Sequence, residues 1–443
     1  MNSTRTKTII KALFQTALKS ANPYALTLET VSRTGDTLII DKTKRDLSQY
    51  KNIYVIGTGK AAAKMALAME HILGQAITKG IVSVTYGSAQ GVALKKIQII
   101  EAGHPIPDGN SLISARRIKA LLKQTTKDDL VIFLISGGGS SSMVSPALGI
   151  TLNDLRRTFK LLLKSGASIE EINCVRKHLD MTKGGLLAQD AWPSTMISLI
   201  ISDVVGNRFD AISSGPTVPD LSTFRDALKI LKTYKTWDGM PQSIRTRIRM
   251  GVAHKLTETP KKGNLAFKNT RTLLIGSNDI ILKAIAQKIK SIGLKCVLRK
   301  DSIVGEARQS AKDYAREITK KAKSLTKPIF FISGGETTVT VRGNGKGGRN
   351  QEFALAFVLQ MAKLGITNYV CLSCATDGID YIKEAAGALV DGTSLSKARK
   401  LGLDPQALLE NNDSYRFQKA AKTLIRTGPT GTNLNDVQIV GIY

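Results

Sequence analysis

Residues 130–142 read LVIFLISGGGSSS, and this stretch constrains the chain more than any other. Leu130 to Ile135 is too short for a typical helix and uniformly apolar, which predicts a strand buried on both faces. It runs straight into Ser136, Gly137, Gly138, Gly139, Ser140 and Ser141. Three glycines allow a sharp turn and bring backbone N–H groups close to a ligand. Hydroxyls and a renewed helical pattern after Pro146 complete a cradle suited to an anion, a phosphate or a carboxylate.

One such turn can be a turn and nothing more, but the device recurs. Asn52–Ile56 (NIYVI) leads into Gly57-Thr58-Gly59-Lys60 and a helical AAAKMALAMEHIL. The spacing resembles a dinucleotide turn with Ala62 in third place, yet the next strand, Ile81–Thr85, ends without the acid that would hold a ribose. Tyr54 and Ala61 exclude a Walker A loop. What remains is Lys60 at a helix start, against the preference of that end for acids, which points to joint capture of an anion. Met196–Ile201 ends in Ser202-Asp203, where an acid can hold Mg²⁺ or accept a substrate hydroxyl.

The pattern then restarts. Leu273–Ile275 leads to Gly276-Ser277-Asn278, and Pro328–Ile332 to a second S-G-G turn with Gly334, Gly335 and Glu336, followed by an alternating strand, TVTVRG. Arg349 lies in NGKGGRNQEF, and Tyr369–Cys374 ends in Thr376-Asp377. Six strand ends of one character imply a doubly wound α/β protein of two domains, 1–250 and 251–443, with a ligand cleft between them.

Composition narrows the function. The formal net charge is +29, from 64 Lys and Arg against 35 Asp and Glu, which favours anionic ligands. The bases are spread along the chain without a nucleic-acid-reading signature, so nucleic acid is not expected as the partner. No apolar run of about 18 residues exists to cross a membrane. Cys371 and Cys374 lie in an apolar run with no second ligand pair, and read as small core residues on one face of a strand. Few cysteines and no secretory signal predict a cytoplasmic protein. Ile9, Ile10, Leu13, Ala17 and Leu18 have the spacing of an opening helix.

Six motifs, IGTGKAA, ISGGGSSS, ISDVVGN, ISSGPT, ISGGETTVTVRGNGKGGRNQEFAL and GPTGTNLND, together resemble the glycerate 2-kinase family, often labelled hydroxypyruvate reductase, over nearly the full length. The resemblance implies a larger Rossmann-like domain, a smaller α/β domain of the MOFRL type, and transfer of phosphate from ATP, with Mg²⁺, to D-glycerate. It implies an active-site Lys at Lys60 and Arg at Arg349, a glycine-serine loop at Gly137–Ser141, and strand-end acids at Asp203 and Asp377, both candidate metal ligands. Gly57, Gly59, Ser136, Asn278, Gly334, Gly335 and Glu336 join the expected substrate- or nucleotide-binding set, and a homodimer is an expected form. Asn207 stands where the family has an acid, and Tyr381-Ile382-Lys383 replace a compact turn. Either Asp203 or Asp377 can serve as base. The alternative reading is an NAD(P)-linked hydroxypyruvate reductase using the Gly57-x-Gly59 turn.

Overall fold

The run Leu130–Ile135 lies at the centre of a sheet in a computed structural model that describes residues 1–443. Before that sheet the chain forms a small antiparallel meander, β1 (Val31–Thr34), β2 (Thr37–Ile40) and β3 (Thr43–Asp46). No motif in the sequence announced it, because its strands are four residues long. The main sheet holds β4 (Asn52–Thr58), β5 (Lys79–Thr85), β6 (Ile97–Ala102), β7 (Asp129–Ser136), β8 (Thr195–Ile201) and β9 (Thr270–Gly276).

Their order is β6-β5-β4-β7-β8-β9, and the pairs β6/β5, β5/β4, β4/β7 and β7/β8 are parallel. Numbered from β4, this is the 3-2-1-4-5-6 order of a Rossmann fold. Every residue of β7 is buried, as a strand covered on both faces requires. The order reverses between β4 and β7. In open α/β sheets ligands bind outside the carboxyl ends of the strands at such a reversal. Gly57–Lys60 and Ser136–Ser141 both lie at that point.

The second sheet comprises β10 (Lys295–Leu298), β11 (Ile303–Glu306), β12 (Ile329–Thr338), β13 (Tyr369–Ala375), β14 (Gly387–Asp391), β15 (Leu424–Ile425) and β16 (Asp436–Ile442). It is mixed: β10 and β11 run parallel to β12, whereas β16, β13, β14 and β15 extend it antiparallel. The helices Ala307–Ala322 and Arg349–Lys363 pack together over one face, around Tyr314, Phe353 and Phe357.

Several expectations need correction. The chain divides into Pro23–Ile275 and a second unit made of Gly276–Tyr443 with Met1–Asn22. The strand expected to open the second half, Leu273–Ile275, instead closes the first sheet, so the compact units divide at Gly276. The opening helix Ser3–Ser20 belongs with the C-terminal unit, where Ile10, Leu13, Phe14 and Ala17 are buried and Lys7 pairs with Asp391 at 2.5 Å. Local periodicity shows that a helix has an apolar face but not which sheet will cover it.

The second S-G-G is not a turn. Gly334 and Gly335 lie within β12, which continues to Thr338, and the separate strand expected at TVTVRG does not form. Gly335 has φ +138 and pairs with Ile303 of β11, whose backbone occupies the place of a side chain. This is the close backbone approach that favours glycine inside a strand. Cys371 and Cys374 are both buried and free in β13, but a spacing of three puts them on opposite faces.

Candidate functional site

The carboxyl ends of β4 and β7 are tied to each other. Gly59 has φ +104, and a side chain there would strike the Ser136 carbonyl. Its N–H donates to Ser83 O at 2.9 Å, the Lys60 N–H to Gly137 O at 2.8 Å, and the Ala61 N–H to Ser136 Oγ at 2.9 Å. Gly57, one turn earlier, has no room for a Cβ beside Val82 and Leu134. Gly57 and Gly59 set the course of the chain here.

The glycine turn gathers charged side chains. A Cβ at Gly137 would fall on the Asp203 carboxylate, so Asp203 reaches the turn only because residue 137 is glycine. A Cβ at Gly138 (φ +89) would lie 3.1 Å from Thr85 Cγ2, 3.3 Å from His104 Cδ2 and 3.4 Å from Lys60 Cγ. Lys60 makes no hydrogen bond or ion pair through its ammonium group. The N–H groups of Gly137 and Gly138 likewise have no partner within the chain. Burial pushes the Asp203 carboxyl up, and Lys60 partly offsets it. His104 is pushed down to about 4 by loss of water and by the positive charges of Lys60 and Arg176, although the residue as a whole remains exposed.

The serines of this stretch hold the turn. Ser136 Oγ accepts from Ala61, Ser141 Oγ donates to Gly138 O at 3.2 Å, and Ser140 Oγ bonds Ser214 Oγ at 2.8 Å. Ser213 Oγ donates to Ser136 O at 2.8 Å and lies against Gly139. Ser213 and Ser214 take φ values of +51 and +60, a left-handed pair without glycine that costs about 1–3 kcal/mol per residue. Lys183 is fully buried and donates to Met143 O at 2.6 Å, bracing the far end of the turn; burial pushes its ammonium down to about 8. These serines belong to the ISSGPT motif, in which no individual residue stood out from the sequence alone.

The C-terminal unit builds a separate cluster at the start of the helix Arg349–Lys363. Arg349 grips Asp436 through Nε–Oδ2 at 2.7 Å and Nη2–Oδ1 at 2.8 Å, with Glu336 at 3.5 Å. Asp436 is fully buried; loss of water raises its carboxyl and Arg349 offsets this. Asp380 accepts from the N–H groups of Asn350 (3.0 Å) and Gln351 (2.9 Å), and burial pushes its carboxyl up to about 6. Asn278 donates to Leu434 O at 2.7 Å and Asp436 O at 3.0 Å, and its side chain fills the place of a Cβ at Gly334. Asp377 Oδ1 accepts from the Ile379 N–H at 3.0 Å, close enough to Asp436 to raise it further.

Asp436 and Asp380 escaped the sequence reading. The first closes GPTGTNLND and the second opens the departing loop GIDYIK, so their motifs were visible while their partners were not. Tyr381 in that loop has φ +64 and is exposed. The glycine-rich NGKGG segment is braced by Asn411, Asn412 and Asp413, which accept from the N–H groups of Asn344, Arg342 and Lys346. No group of three or more His, Cys, Asp or Glu is arranged to hold a metal ion, and no helix is long and apolar enough to cross a membrane.

Residues 9–249 match a family described as a domain of unknown function (DUF4147), and residues 329–436 match the MOFRL family. The chain is 41% identical to the glycerate 2-kinase of Pyrococcus horikoshii, over 96% of this chain and 94% of that one. It is 39% identical to the D-glycerate 2-kinase of Thermotoga maritima, over 94% and 97%. A putative hydroxypyruvate reductase of Agrobacterium vitis is also 41% identical, over 87% of this chain and 86% of that one. A crystal structure of glycerate kinase from Thermotoga maritima superposes with a TM-score of 0.85 at 37% identity, covering 99% of both chains. With this likeness running through both sheets and their loops, the chain belongs to the glycerate 2-kinase family, built from a DUF4147 part and a MOFRL part.

Proposed function

We propose that this enzyme transfers the γ-phosphoryl group of ATP to D-glycerate, yielding 2-phosphoglycerate and ADP. The observation that carries the reading is the turn at the β4/β7 reversal. There an ammonium group and two backbone N–H groups stand without partners beside one carboxylate. Phosphoryl transfer asks mainly for positioning and for neutralised oxygens. Lys60 and the N–H groups of Gly137 and Gly138 supply both for an anionic group. Asp203, its carboxyl raised by burial, is suited to accept the proton of the attacking hydroxyl. Arg349, held charged by Asp436, keeps the active-site role that the family resemblance gives it.

Mg²⁺ fits this donor set only as an ion shared with the nucleotide. The chain offers isolated carboxylates and no closed cage, which suits an ion held by phosphate oxygens with one or two carboxylates. Asp203 is the candidate ligand of the first unit where it does not act as base, Asp377 is the candidate of the second, and a bound ion would neutralise phosphate charge.

The names of the Agrobacterium relatives and the Rossmann strand order favour hydroxypyruvate reduction as a second reading. Against it, β5 ends at Thr85 and is followed by Tyr86, with no acid for a ribose. Phosphorus NMR of the protein with D-glycerate, ATP and Mg²⁺, run beside NADH absorbance with hydroxypyruvate, separates the two. A 2-phosphoglycerate signal with flat absorbance is expected. Falling absorbance without a new ester would replace the kinase by the reductase. In the kinase assay Lys60→Ala should lower kcat by about 10²–10³, the scale of losing one preorganised donor to developing charge. Unchanged turnover would return Lys60 to a surface role.

A further inference from the structure

The last turn of the helix Ile169–Leu179 carries three consecutive bases, Arg176, Lys177 and His178, which are 6%, 5% and 1% exposed. Two of them have acidic partners. Lys177 reaches Asp220 at 3.3 Å and Asp210 at 3.6 Å, and His178 Nε2 reaches Glu258 at 3.1 Å. Arg176 has none. Its guanidinium lies over the Phe159 ring, 4.5 Å from the centroid, and makes no hydrogen bond or ion pair within the chain. Its Nε is enclosed without an acceptor. A buried charge without a partner is costly, and a chain retains one where a ligand completes it.

The surroundings say which ligand. One turn earlier on the same face, Asn173 accepts from Ser214 Oγ, which bonds Ser140 Oγ, so this helix face is fastened to the glycine turn. Arg176 acts on both His104 and Lys183, lowering each, and His104 lies against Gly138 beside Lys60. Two cations, Arg176 and Lys183, thus share the one carboxylate of Asp180, which lies 3.8 Å from Lys183 with its Oδ2 enclosed and without a hydrogen bond. One anionic charge is missing. A guanidinium fork fits a planar carboxylate with two parallel bonds. The small residual exposure admits a small group, whereas phosphate oxygens have the open Gly137 and Gly138 N–H groups and Lys60.

We infer that Arg176 binds the carboxylate of the acceptor acid, holding it beside Lys60 and His104 at the Gly137–Ser140 turn. The inference rests on the kinase reading for its choice of a 2-hydroxy acid. His104, kept neutral, offers a donor and an acceptor to a substrate hydroxyl next to that carboxylate.

The test uses the whole enzyme and the variants Arg176→Met and Arg176→Lys. Steady-state kinetics would vary D-glycerate and ATP separately, and thermal melts would be run with and without D-glycerate. Arg176→Met should raise the KM for D-glycerate by about 10²-fold, the scale of a lost charge-assisted pair, with the KM for ATP within about threefold. Arg176→Lys, which keeps the charge but not the fork, should fall between. D-Glycerate should raise the melting temperature of the wild type but not of Arg176→Met, and the ligand-free variant should melt no lower than the wild type. A raised KM for ATP with an unchanged KM for D-glycerate would assign Arg176 to a nucleotide phosphate and overturn the inference. So would unchanged constants, or a variant that fails to fold, since either would make Arg176 structural. A wild type that makes no phosphate ester yet is stabilised by D-glycerate through Arg176 would sink the kinase reading and leave the anion anchor standing.

Discussion

Arg349 and Asp436 meet through two parallel hydrogen bonds, Nε to Oδ2 at 2.7 Å and Nη2 to Oδ1 at 2.8 Å. The carboxylate is fully buried and the guanidinium mostly so. Removing one partner strands the other charge, so Asp436→Asn should cost about 3–5 kcal/mol of stability. The double variant Arg349→Met/Asp436→Asn should lose less than the sum of the two single changes. Arg349→Lys keeps the charge but not the fork, and in the proposed mechanism kcat should fall at least about tenfold. Denaturant melts and steady-state kinetics on the wild type and the variants Asp436→Asn, Arg349→Met, Arg349→Met/Asp436→Asn and Arg349→Lys check each part; additive losses would show that the pair is not coupled.

The Asp203 carboxylate occupies the space a Cβ would need at Gly137. Gly137→Ala should displace that acid and lower kcat by about 10²-fold, the cost of misplacing a reacting group by about 1 Å. Gly109, at the start of the helix Gly109–Leu122, has nothing within 4 Å of a built Cβ, so Gly109→Ala is the matched control and should leave kcat unchanged. Equal activities in the two variants would take Asp203 out of the mechanism.

Asp380 gives a pH signature. Its carboxyl is pushed from 3.8 up to about 6 in the folded chain, chiefly by burial. The native state therefore binds a proton more tightly than the unfolded chain between these values. The stability this contributes is full below about pH 4 and is lost as pH rises through 6, a change on the order of 3 kcal/mol. Asp380→Asn keeps an acceptor for only one of the Asn350 and Gln351 N–H groups, which reach different oxygens, so it should cost about 1–3 kcal/mol and flatten that slope. Urea melts of both proteins from pH 4 to pH 7 would show it, and parallel curves would exclude Asp380 as the source.

The opening helix should stabilise the C-terminal unit and not the sheet that follows it in sequence. Leu13 is 1% exposed there, and Leu13→Ala should cost about 2–5 kcal/mol. Hydrogen exchange in the variant should rise first in residues 276–443. Faster exchange confined to 23–275 would contradict the assignment of Met1–Asn22 to the other unit.

The glycine turn after β7, Lys60 after β4 and Asp203 after β8 were legible because each sits at a fixed offset from an apolar run, and a parallel sheet brings such offsets to one edge. The second S-G-G misled because it has the same letters but a different neighbour: β11 lies against Gly335, so the strand runs on instead of turning. The sequence offered the serines as ligand donors but not the contacts by which Ser136, Ser140 and Ser141 also hold the loops.

The sequence by itself determined the class of fold, the strand ends that meet at the sheet reversal and the family, since periodicity and glycine placement act over a few residues. Only the tertiary structure decided that the first helix joins the last sheet, that Arg349 is shared with Asp436, and that Arg176 alone among three adjacent buried bases makes no ion pair. Those facts depend on residues tens to hundreds of positions apart. Burial and partner choice are properties of packing, and no local pattern of letters encodes them.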